Sequence, residues 1–156
     1  MRVFRITLAR FNPAAAAFSG LGTTLAHGRW NHKRPDVRGV YCADSLALSC
    51  LETLVHINSR PRVFPPSVYY ATDIPDTAIE RPSIASLPAG WNDAVPGAAS
   101  QDYGTAFLQS KRSVALAVPT VVQADGTIVL VNAAHPDFDL KWIAGPFPYQ
   151  YDARLD

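Results

Sequence analysis

The chain has 156 residues, 48% hydrophobic and 17% charged, which fits one domain spanning residues 1–156 with a core of its own and excludes a disordered chain. Its formal net charge of +1 offers no bulk attraction to nucleic acid or an anionic membrane, so an anionic ligand must be held by a few placed cations. No stretch of about 18 strongly apolar residues is present to span a membrane. Cys42 and Cys50 match no zinc or redox spacing, so both read as buried thiols in a reducing, cytoplasmic setting.

Arg2–Leu8 reads as a first strand. Arg2, Arg5 and Arg10 ahead of an alanine run also invite a transit-peptide reading, but Ala14 to Ala17 is too short and weak for a signal-peptide core. A Gly/Thr/Ala-rich loop is expected through Gly28, followed by Arg29-Trp30-Asn31 and a basic turn with His32, Lys33, Arg34 and Arg38. Gly39-Val40-Tyr41-Cys42 is a short strand ending at Asp44, which is read as a helix N-cap.

The main helix is expected from Ser45 to about Asn58. Leu46, Ala47, Cys50, Leu51, Leu54, Val55 and Ile57 give it a broad apolar face, while Ser45, Ser49, Glu52 and His56 form a narrow polar stripe. That stripe fits either the solvated side of the helix or a functional one. Further strands are expected at Val68–Thr72, Ser113–Val118 and Thr127–Asn132. A long loop covers Arg81–Pro96 and a short helix Gln101–Gln109. A last edge strand is expected at Phe147–Tyr151, where Pro148 argues against a central position. Strands at both ends around one main helix indicate an α+β domain with mixed or antiparallel strands.

No Gly-rich phosphate loop and no Gly-x-Ser-x-Gly elbow is present. His135-Pro136-Asp137-Phe138-Asp139 superficially resembles a metal cluster, but its ligands alternate within one short loop and read better as a turn. No metal and no bound cofactor is therefore expected. Arg29, between Gly28 and Trp30, suits a guanidinium that grips phosphate oxygens in pairs. A surface arginine stacked on Trp30 is the alternative.

Taken in order, Gly28-Arg29-Trp30-Asn31, Gly39-Val40-Tyr41-Cys42-Ala43 and Ala47 through Glu52 to His56 resemble the RES-domain family. So do Ser113–Pro119, Asn132–Phe138 and the closing Phe147–Leu155. The resemblance runs from the first strand to the last residues. It implies a fold like that of ADP-ribosyltransferases and the toxin role of an Xre–RES toxin–antitoxin pair. NAD is then the substrate, with its nicotinamide–ribose bond broken by hydrolysis or phosphorolysis. It implies a cognate Xre-type antitoxin that blocks the site and carries any operator recognition, so no direct nucleic-acid binding by this chain is expected. Some members instead look like ADP-ribosyltransferases that modify a protein target. A domain that retains the fold without catalysis is the rival from another class.

Carried over residue by residue, the family arginine maps to Arg29 and the glutamate to Glu52, with Tyr41 at the usual aromatic position. Trp30 and Asn31 flank the arginine as substrate-binding candidates, and the serine maps to Ser113. Val118-Pro119-Thr120 stands where many relatives read Val-Pro-Ser, so Thr120 competes with Ser113 for the functional hydroxyl. Asn132-Ala133-Ala134 departs from the family's Asn-Pro form, which is expected to be a local loop change. In the implied mechanism Arg29 fixes the diphosphate, Tyr41 stacks on a ring, and Glu52 stabilises positive charge on the ribose. Ser113 would orient Glu52 or the ribose.

Overall fold

The computed structural model describes residues 1–56 and 64–155. Seven strands form one sheet: β1 (Arg2–Leu8), β2 (Gly39–Ala43), β3 (Ser67–Asp73), β4 (Ile79–Glu80), β5 (Ala115–Pro119), β6 (Thr127–Asn132) and β7 (Ile143–Tyr149). Their order is β4-β5-β6-β2-β1-β3-β7, and only β4–β5 is parallel. The domain is α+β with a mixed sheet, as expected from strands at both ends around a main helix.

Strand alternation divides the core. Val40, Cys42, Ala115, Ala117, Val129 and Val131 join one buried cluster with Ala17 and Phe18. Their strand neighbours Ala43, Leu116, Val118, Ile128 and Leu130 join another with Trp30, Leu48 and Phe107. Both faces of the sheet are thereby covered, and the polypeptide before β2 serves both, with Ala17 and Phe18 in the first cluster and Trp30 and Val37 in the second. Residues expected to be loop there form two short helices, α1 (Ala14–Ala17) and α2 (Leu21–Leu25). They are too short for any periodicity to reveal.

Helix α3 (Leu46–Val55) lies within the expected segment, and Ile57 and Asn58 fall outside the described residues. Its cap differs from expectation. Ser45, not Asp44, receives the Leu48 N–H at 3.1 Å. Asp44 instead accepts from Thr127 N at 2.8 Å, extending the β2–β6 pairing by one step. Within the helix's polar stripe Ser49 is buried, Ser45 and Glu52 are half-buried and His56 is exposed, while Leu51 and Val55 of the supposed apolar face are 40% and 57% exposed. A second and longer helix, α4 (Ala98–Ser110), packs Phe107 and Leu108 into the Trp30 cluster, so the sheet is served by two principal helices rather than one. Pro146 and Pro148 sit in β7, at the sheet edge where a missing N–H donor is tolerated.

One departure from regular pairing positions everything that follows. β1 and β3 pair along seven residues, but β1 and β2 meet at a single register, Phe4 opposite Ala43. Beyond it the strands part. The Ile6 N–H is taken by the Ser49 hydroxyl of α3 at 3.0 Å, and Arg5 Nη1 reaches across to the Tyr41 carbonyl at 3.0 Å. Side chains thus satisfy backbone groups where a partner strand is lacking.

Candidate active site

The parting strands open into a cavity of about 990 Å³. Arg5 and Thr7 of β1, the α1–α2 segment, the turn around Gly28, Tyr41 of β2, Glu52 and Val55 of α3, and Pro119 at the end of β5 with the following residues to Val122 line it. The volume is at the large end for a small-molecule site and suits a dinucleotide.

The 28–31 turn is held from several sides. Tyr41 Oη accepts the Trp30 N–H at 3.0 Å and donates to Asn31 Oδ1 at 2.8 Å. Asn31 spends its amide nitrogen on the carbonyls of Ala26 and His32, at 3.0 and 3.1 Å. Gln101 and Thr105 of α4 bind Gly28 O and His32 N. Gly28 has no room for a side chain, because a Cβ would lie 2.5 Å from Asn31 Oδ1 and 2.6 Å from Tyr41 Oη. Trp30 and Asn31 line the cavity and are each 1% exposed, so they build its wall and orient its groups.

Arg29 stands partly exposed in the cavity wall. It does not stack as a free surface side chain. Its Nη1 donates to the carbonyls of Trp91 and Asp93, each at 2.8 Å, and so pins the segment that brings Ala94 and Pro96 to the cavity. Trp91 in turn stacks on Trp30, with centroids 6.3 Å apart.

Glu52 is half-buried and is the one carboxylate among the described residues lining the cavity. Thr120 Oγ1 donates to its Oε1 and accepts the Val122 N–H at 3.1 Å. Tyr41 lies under the influence of both charges: burial pushes its phenol above the ordinary value, Arg29 pulls it down and Glu52 pushes it up. The phenol is a neutral donor throughout the physiological range.

The structure therefore brings Arg29, Tyr41, Glu52 and Thr120 to one cavity. Ser113 is elsewhere: it precedes β5, its hydroxyl is 3.4 Å from the Ala78 carbonyl beside β4, and it does not line the cavity. Of the two hydroxyls weighed from the sequence, Thr120 is the one at the site. The basic turn also stays outside it, with His32 bound to Asp102 at 2.6 Å and Arg34 to Asp36 at 3.0 Å. His135 Nδ1 accepts from Asp137 N within its turn, and no group of three metal-binding side chains converges among the described residues. No helix among them is long and apolar enough to cross a membrane.

Sequence reasoning did not place Arg5 and His27 at the site, and it had His56 only as part of the polar stripe; all three are in the cavity lining. A signal for Arg5 was available: it is the charged member of the row Val3, Arg5, Thr7 on a strand whose residues alternate apolar and polar from Phe4 to Leu8.

The domain is α+β, and among the described residues its cavity is lined by one carboxylate, Glu52, and two guanidiniums, Arg5 and Arg29. The RES domain matches residues 2–152, and the chain belongs to that family. It is 39% identical over 123 residues to the Prs ADP-ribosylating toxin of Sphingobium sp. (strain YBL2), covering 76% of this chain and 74% of that protein. It is 30% identical over 156 residues to Toxin Res of Yersinia enterocolitica, covering 99% of each. A chain in the crystal structure of the M. tuberculosis MbcT-MbcA toxin-antitoxin complex superposes with a TM-score of 0.75 at 18% identity, over 99% of this chain and 85% of that one. That likeness is one of fold.

Proposed function

We propose that this protein is the toxin of a toxin–antitoxin pair and that it binds NAD in the cavity and breaks the nicotinamide–ribose bond. The observation that carries the reading is Glu52, the one carboxylate lining the cavity among the described residues, held on a helix by Thr120 and set with Tyr41 and Arg29. Breaking the bond leaves its electron pair on the nicotinamide ring nitrogen, which becomes neutral, so no strong general acid is required. Positive charge develops on the ribose, and a fixed carboxylate nearby lowers the barrier to it. Arg29 orients the diphosphate and the Tyr41 ring flanks a base or nicotinamide. An acceptor oxygen then bonds to the ribose carbon and releases its proton to solvent.

Hydrolysis or phosphorolysis would deplete NAD. Transfer of ADP-ribose to a protein is the second reading, and it is favoured by the name of the Sphingobium relative, an ADP-ribosylating toxin. The toxin role is supported by relatives named Toxin Res, and an antitoxin partner by the complex in which the similar fold was solved. An Xre-type antitoxin that covers the cavity in the cytoplasm completes the reading. The experiment is nicotinamide release from NAD by purified protein, with and without phosphate and with Glu52→Gln in parallel. No release by the unmodified protein under either condition defeats the proposal. Labelled NAD with lysate separates the acceptors: a labelled protein band marks transfer, small products alone mark degradation.

A further inference from the structure

Phe11 closes the single helical turn Ala9–Phe11 that follows β1, and it lines the cavity. It is 43% exposed and joins none of the three hydrophobic clusters among the described residues. Phe147 is exposed as well, but its ring lies on Tyr69 with centroids 5.1 Å apart. Phe11 has a cation beside it instead: the guanidinium carbon of Arg10 stands over the ring, 5.0 Å from the centroid. Single exposed apolar side chains are ordinary on a protein surface. Here Leu21, Val55 and Val121, all exposed, line the same cavity as Phe11. Wetted apolar side chains gathered in a cavity that also holds Arg29 and Glu52 suit a ligand with a charged part and a flat apolar part.

Charge decides which ring of a dinucleotide meets Phe11. A guanidinium over one face draws the ring's electrons toward it, so the other face suits a neutral, electron-rich base and disfavours a cationic ring. In NAD the nicotinamide is the cationic ring until its bond to ribose breaks, and adenine is the neutral one. The anion that suits the cationic end is Glu52, held on α3 by Thr120. Arg10 and Glu52 thus sort the two ends of the molecule by sign.

We propose that the Phe11 ring is the platform on which the adenine of the dinucleotide stacks, which makes Phe11 a specificity residue for the half of the substrate that does not react. This rests on the NAD reading above and narrows its substrate class to dinucleotides with a flat, neutral base at the far end. It also accounts for a large aromatic ring left in water at the end of β1, where an apolar side chain otherwise has nothing to gain.

The test is calorimetric binding of ADP-ribose to the unmodified protein, Phe11→Ala, Phe11→Leu and Phe11→Trp. Phe11→Ala weakens ADP-ribose by about tenfold or more, as removal of a base-stacking ring does. Phe11→Leu keeps the apolar bulk without the flat face and weakens it by about threefold to tenfold, while Phe11→Trp binds at least as tightly. In turnover the loss falls on KM for NAD, with kcat within about twofold. A folded Phe11→Ala or Phe11→Leu that binds ADP-ribose as the unmodified protein does overturns the proposal, and so does an unmodified protein that does not bind it. Where a variant fails to fold, the unmodified protein carries the test by proton NMR. Adenine ring-proton signals that move upfield on binding, with nuclear Overhauser contacts to phenylalanine ring protons, support the stack; bound adenine signals without either overturn it. Failure of the NAD reading is distinguishable, since it appears as ADP-ribose bound through Phe11 with no nicotinamide released from NAD.

Discussion

The hydroxyl of Thr120, at the end of the β5 segment, donates to the Glu52 carboxylate in the middle of α3, joining residues 68 positions apart in sequence. Thr120 is itself held by the Gly126 carbonyl at its N–H, 3.0 Å away, and by the Val122 N–H at its oxygen. The turn thus sets the direction of the Glu52 carboxylate in the cavity.

Thr120→Val removes that donor while keeping the shape. The expected result is a fall in kcat for nicotinamide release of about tenfold to a hundredfold, corresponding to a hydrogen bond to a charged group, with KM changed little. Thr120→Ser restores the hydroxyl and recovers most of the rate. Ser113→Ala leaves kinetics unchanged, because Ser113 stands outside the cavity.

Tyr41→Phe strips the acceptor from the Trp30 N–H and the donor from Asn31 Oδ1. The expected cost is ~2 kcal/mol, a drop in Tm of about 5 °C in a domain of this size. Thermal melts check it. The ring remains, so whatever it contributes by stacking survives.

Gly28→Ala drives a methyl group into the Tyr41–Asn31 hydrogen bond. Loss of Tm comparable to that of Tyr41→Phe is expected, with little further loss when the two are combined, since both break one contact. Additive losses on melting the double variant would show that the turn fails in another way.

Arg29→Ala releases the carbonyls of Trp91 and Asp93. The expected outcome is faster limited proteolysis between residues 91 and 97, alongside weaker ADP-ribose binding. Arg29→Lys, with one point charge and no fork, restores neither fully.

Burial pushes the Cys42 thiol from about 9 up to about 12. The fold therefore favours the protonated form: its contribution to stability is complete below pH 9 and is lost as pH climbs toward 12. At pH 8 the 3%-exposed thiol should react with Ellman's reagent only as fast as the protein opens, which a comparison of labelling rates in water and mild denaturant measures.

Much of the architecture was legible from local pattern. β1 coincides with its expected bounds, α3 lies within its expected segment although its cap is Ser45 and not Asp44, and β5 and β6 follow from apolar runs bounded by Pro119 and Asp125-Gly126. Arg29, Tyr41 and Glu52 stood out by resemblance, and the cavity gathers them. What escaped depends on long-range geometry. The direction of the α3 polar stripe was open because Ser49 finds its partner at Ile6, on another element. Ser113 and Thr120 are equivalent as residue types, and only the turn after β5 brings one of them to Glu52. Arg5 looked like one of several N-terminal arginines, since nothing near it in sequence reports that β2 will turn away.

That turning away has a mechanical consequence. With a single register joining β1 to β2, the sheet is two plates, β4-β5-β6-β2 and β1-β3-β7, meeting at Phe4 and Ala43. α3 rests across the seam, with Leu48 packed on one plate and Cys50 beside Ile6 of the other. A molecule lodged in the seam then acts as a splint: it resists relative rotation of the plates, and the backbone amides along both lips should exchange with solvent more slowly once it is in place.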